Sequence, residues 1–152
     1  MGGAGPPSGN RGAGELRAYS DIPLKGTPAD FPDELNRRLI HGYHACVSYT
    51  DRNVGVLLDA LKASGAADDT IVVFTSDHGD MLGGHGLATK GVGTSYEEVY
   101  NIPLLLRVPG STMGEDADTL TGLIDLGPTL LDLCGLDPLP HAQGRSLRPV
   151  LE

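Results

Sequence analysis

The chain has 152 residues, 20 of them acidic and 11 basic, for a formal charge of −9. That balance, without a run of Lys or Arg, excludes nucleic acid and anionic membrane as principal partners. No apolar stretch reaches the ~18 residues of a membrane helix, and with two Phe and no Trp a core must be built from Leu, Val and Ile.

Residues 1–19 are rich in Gly and Pro and read as a disordered tail. They hold no apolar core of a secretory leader, so a cytoplasmic location is expected. Residues 20–152 form the body, about one domain. Thr27 to Asp30 and Phe31-Pro32-Asp33 offer helix-start signals. Leu35, Leu39, Tyr43, Val47, Thr50, Val54, Leu58 and Leu61 then step by four or three, one face of a helix over about 33–63. Ser64-Gly65 supplies its stop, and Asp68-Asp69 a turn.

Ile71 to Phe74 is a short apolar run rich in β-branched residues, which predicts a strand buried on both faces of a parallel sheet. Ser76 to Gly93 is a glycine-rich loop, and Tyr96 to Tyr100 one or two helical turns. Ile102 to Val108 is a second strand with Pro103 at its start. Thr121 to Leu133 reads as a third element, in which Asp125 and Pro128-Thr129 open a helix carrying Leu130, Leu131 and Leu133, ended by Gly135. Pro138 to Gly144 is loop. Helices alternating with buried strands predict an α/β fold with a mostly parallel sheet. Cys46 and Cys134, far apart in apolar patterns, read as buried thiols. His41 and His44 sit in the long helix as structural residues; His141 carries no signal.

The chemistry concentrates where the first strand ends. Ligands bind outside the carboxyl ends of strands in open α/β sheets, and Asp77 and His78 fall just beyond such an end. Gly79 lets the chain turn there, so neighbouring side chains can converge. A carboxylate with an imidazole suits a divalent metal; a turn-forming Asp and a hydrogen-bonded loop His are the plainer alternative. Lys90, across the glycine-rich loop, could reach an anionic group held on that metal, or could be a solvated lysine. His85 could contact substrate or support the loop.

The motifs Tyr49 to Gly55, Thr70 to Gly79, Leu82 to Gly86 with Lys90, and Tyr96-Glu97-Glu98 together resemble the sulfatase family, of the alkaline-phosphatase-like superfamily. So do Ile102-Pro103-Leu104, Pro109-Gly110, Asp125 to Leu130 and Gly144 to Leu147. The resemblance spans about residues 35–151. It is nearest to members with Asp-His at the metal: choline-sulfatase-like, iduronate-2-sulfatase-like and phosphonate monoester hydrolase-like.

The resemblance implies that Asp77 and His78 are metal ligands from the second half of the catalytic domain, and that Lys90 contacts the sulfate. It implies calcium as the cation, with manganese or magnesium open because imidazole is a poor calcium ligand. The reaction implied is hydrolysis of a sulfate ester, of a small molecule or a glycan, by a formylglycine nucleophile. The family's Cys/Ser-x-Pro/Ala-x-Arg nucleophile segment has no counterpart in these residues, nor do the two aspartates that complete the metal site, nor the smaller C-terminal subdomain. Residues 20–152 are therefore expected to be part of a catalytic domain, weak in metal binding and inactive alone, with a separate N-terminal half as a partner. Phosphonate or phosphate ester hydrolysis and a non-catalytic binding module are the alternative functions.

Overall fold

The structure, a computed structural model, describes residues 33–87, 90, 95–111, 114 and 117–151. The expected tail at 1–19 and the helix-start signals at 27–32 lie outside them. The chain divides into two compact units, residues 1–110 and 111–152.

The first unit begins with helix α1, Asp33–Ala63. Asp33 and Glu34 occupy its first turn and Lys62 its last, matching the helix dipole at both ends. Gly65 stops it in the left-handed region, at φ 75°, and its N–H reaches the Lys62 carbonyl at 3.1 Å. These limits agree with the periodicity. Yet no residue of α1 is buried: Tyr43, Val47 and Leu58, on the predicted inner face, remain 38%, 49% and 45% exposed. Among the described residues nothing seals that stripe.

A 3-10 turn at Ala67–Asp69 leads into strand β1, Val72–Thr75. The loop beyond contains a second 3-10 turn, Gly84–Gly86, then the single helical turn α2, Glu97–Tyr100, and strand β2, Leu104–Arg107. Pro103 sits immediately before β2, where its missing donor costs no ladder bond. β1 and β2 pair antiparallel, with Val72 opposite Arg107 and Thr75 opposite Leu104. This corrects the parallel expectation for the described strands. A continuous apolar run carries no record of which way a neighbouring strand runs. Burial on both faces is also corrected: the cross-strand pair Phe74 and Leu105 is 42% and 63% exposed, because no described residue covers that face. Among the described residues of this unit, Met81 and Val99 are the buried apolar side chains.

The second unit is built on helix α3, Leu123–Leu133, and the short α4, Arg148–Leu151. Helix α3 opens at Gly122, whose N–H donates to the Asp125 carboxylate at 3.0 Å. Pro128 therefore lies inside α3 rather than at its start. Lacking an N–H, Pro128 leaves the Ile124 carbonyl without its helical donor, and Gly144 backs onto that same carbonyl so closely that a Cβ would collide with it. The helix ends in a Schellman motif: Gly135, at φ 68°, donates to Asp132 at 3.0 Å and Leu136 donates to Leu131 at 2.9 Å.

Cys46 and Cys134 are both free and exposed, not buried as their apolar surroundings suggested. Cys46 lies on the uncovered α1, and Cys134 caps α3 at the surface. None of the described helices is long and apolar enough to cross a membrane.

Candidate metal and sulfate site

The segment Ser76 to Asp80 leaves β1 and folds back on itself. The Ser76 hydroxyl donates to the His78 carbonyl at 2.8 Å, and Asp77 Oδ1 accepts its neighbour's N–H at 3.0 Å. Gly79 then donates its N–H to the Val99 carbonyl in α2 at 2.9 Å. A Cβ at position 79 would strike the Glu98 carbonyl, so only glycine allows this seating.

Those bonds orient the imidazole. His78 Nδ1 lies 3.0 Å from the Gly79 carbonyl, which assigns the proton to Nδ1 and the lone pair to Nε2. Nε2 faces two groups, Asp77 Oδ2 at 3.3 Å and Lys90 Nζ at 2.6 Å. Asp77 is largely exposed while His78 is about two-thirds covered. Desolvation pushes the Asp77 carboxyl upward. The charge of His78 when protonated, backbone N–H donors and the Lys90 ammonium outweigh it, so the group sits below its ordinary value.

Asp77, His78 and Lys90 are thus brought together as the motif suggested. One carboxylate oxygen and one imidazole nitrogen about 3 Å apart fit two adjacent ligand positions of a divalent cation, whose shell takes about six donors. The Nδ1–H bond to a carbonyl is the outer-shell support that a metal-binding imidazole uses. Among the described residues no group of three or more His, Cys, Asp or Glu that could hold a metal gathers, so the pair offers two donors of such a shell and no more.

His85 turns elsewhere. Its backbone is left-handed at φ 53°, its ring stacks on Tyr96 with centroids 3.8 Å apart, and its Nε2 is 3.7 Å from Glu98 Oε1. These contacts brace the loop against the α2 segment and line an open cleft with Glu97 and Asn101. Sequence reasoning passed over Asp80, whose Oδ1 accepts the Lys90 backbone N–H at 3.0 Å. It also assigned no role to Ser76 or the Glu98 carboxylate, although both lie within motifs that carry the family resemblance.

Residues 13–136 match the family model described as Sulfatase. The chain belongs to the sulfatase family. It is 38% identical over 117 residues to an N-acetylglucosamine-6-O-sulfatase of Bacteroides thetaiotaomicron, covering 76% of this chain and 21% of that protein. It is 39% identical over 125 residues to a choline-sulfatase of Rhizobium meliloti, covering 80% and 24%. Among solved structures, the phosphonate monoester hydrolase of Agrobacterium radiobacter superposes with a TM-score of 0.77 at 33% identity, over 91% of this chain and 29% of that one. The chain therefore spans roughly a fifth to under a third of the length of these relatives.

Two further motifs of this sulfatase chain close on each other within the second unit. Asp125 accepts the Arg145 N–H at 2.9 Å, and the fully buried Thr129 donates to the Asp125 carbonyl at 2.6 Å while accepting the Leu147 N–H at 2.9 Å. Asp132 receives the Ser146 hydroxyl and the Arg148 guanidinium. The Arg145 guanidinium donates to the Leu120 carbonyl at 3.2 Å. These motifs hold α3 to the segment that follows it; their polar groups are occupied in that packing.

Proposed function

We propose that this chain supplies the Asp-His side of the metal site and the sulfate-contacting lysine of a sulfuric ester hydrolase. The observation that carries this reading is the gathering of Asp77 Oδ2 and Lys90 Nζ around one ring nitrogen of His78. Asp77 and His78 are two ligands of a divalent cation, calcium first, with manganese or magnesium as alternatives. When bound, such a cation draws electron density from sulfate oxygens. Lys90 adds a positive charge near the oxygen where negative charge develops as the ester bond breaks. The nucleophile and the remaining metal ligands belong to sequence other than these 152 residues. The names of the relatives point to a small alcohol or a glycan as the group released.

Manganese titrated into the chain, followed by paramagnetic broadening of the Asp77 and His78 resonances, tests the site. Selective broadening that disappears in Asp77→Ala is expected, with affinity weaker than micromolar; broadening spread evenly over the surface contradicts the reading.

A second reading, hydrolysis of a phosphonate ester, is favoured by the similarity to the phosphonate monoester hydrolase. A phosphonate monoester also presents tetrahedral, anionic oxygens, and nothing between Asp77 and Lys90 separates the two. Paired assays with an aryl sulfate and an aryl phosphonate ester, on the domain assembled with its nucleophile half, discriminate them.

A further inference from the structure

We propose that Asp80 is a positioning residue for Lys90, an inference that rests on the reading of Lys90 as the sulfate contact. Asp80 Oδ1 accepts the backbone N–H of Lys90 across ten residues at 3.0 Å. Lys90 Nζ, at the other end of the same residue, reaches His78 Nε2 at 2.6 Å. Both partners lie on the segment His78-Gly79-Asp80, and its middle residue is pinned to the Val99 carbonyl. The lysine is therefore referenced at its backbone and at its tip to one fixed stretch of chain.

The physical need for such a tether is entropic. Lysine loses more rotamer freedom than most residues when its tip is fixed, and a glycine-rich loop adds backbone freedom to that search. A carboxylate acceptor gives a stronger bond than a neutral one and removes the backbone part of the search. What remains is the set of side-chain rotamers that reach His78 from one anchored Cα. A residue that merely braced the loop would change stability without changing where the ammonium goes.

Nuclear magnetic resonance on the 152-residue chain tests this. In the wild type the Lys90 amide should exchange at least about tenfold more slowly than an unprotected amide; an unprotected rate overturns the proposal without any variant. In Asp80→Ala the protection should vanish, together with the nuclear Overhauser contact between the Lys90 ε-methylene and the His78 ring. Asp80→Asn keeps a carbonyl acceptor and should retain both at half strength or better. A Lys90–His78 contact of wild-type strength in Asp80→Ala overturns the proposal, as does its loss in a folded Asp80→Asn. The manganese titration reports the metal reading separately. Failure of broadening at Asp77 and His78, with an Asp80-dependent lysine contact, removes that reading and leaves the tether supported.

Discussion

His78 Nε2 accepts the Lys90 ammonium at 2.6 Å although twelve residues separate them. The bond exists because the Nδ1 proton is committed to the Gly79 carbonyl, leaving one lone pair free to accept. One lone pair serves one partner, so on the proposed metal reading a cation that takes Nε2 displaces the Lys90 ammonium from it.

From this relationship Lys90→Ala should bind metal as well as the wild type or better, while turnover of the assembled sulfatase falls by about 10²–10³, the usual loss for a charge-stabilising donor. Asp77→Ala should lose metal and turnover together. Metal content per protein, measured beside kcat, separates the two; normal turnover without Lys90 contradicts its role.

Gly79→Ala should destabilise the first unit, because the new methyl group would meet the Glu98 carbonyl. Backbone cannot yield as a side-chain tip can, and overpacking of this kind costs about 1–3 kcal/mol. The urea unfolding midpoint should fall, and the Gly79 amide, now held by Val99, should exchange faster.

Thr129→Val tests the clasp in the second unit. Valine fills the same volume in this fully buried position but leaves the Leu147 N–H without its acceptor. A buried donor stranded in this way costs about 1–3 kcal/mol. Calorimetric melting of wild type and variant gives the difference; an unchanged melting temperature removes the clasp as a stabilising element.

The same unit should weaken in acid. The Arg145 and Gly122 N–H groups, against opposing desolvation, hold the Asp125 carboxyl below its ordinary value. The Ser146 hydroxyl does so for Asp132, against desolvation and with help from Arg148. Both folded values lie below the unfolded carboxylate value of about 3.9, so in that range the unfolded chain binds more protons. Their stabilisation is complete above the unfolded value and is lost as pH falls through the lowered ones. Urea midpoints should be flat above about pH 5 and drop below about pH 4, less steeply in Asp132→Asn. A midpoint that rises on acidification contradicts the assignment.

Much of this was legible in the residues. Period-3.6 spacing with Ser64-Gly65 at its end located α1, and short apolar runs located both strands, because those signals are local. Asp77, His78 and Lys90 stood out by side-chain type and motif, and the structure places them side by side. The element read over Thr121–Leu133 is α3, but Pro128 lies inside it and does not open it, since the Gly122 N–H and the Asp125 carboxylate settle the start through a contact the Pro-Thr pattern does not express.

By itself the sequence determined the elements, their limits to within a few residues and the family to which their order belongs, for these depend on neighbours a few residues apart. Only the tertiary structure decided that β1 and β2 run antiparallel, that Cys46 and Cys134 face outward, and that Asp80 holds the backbone of Lys90. Each of those rests on which distant backbone arrives beside a residue, and side-chain patterns carry no record of that.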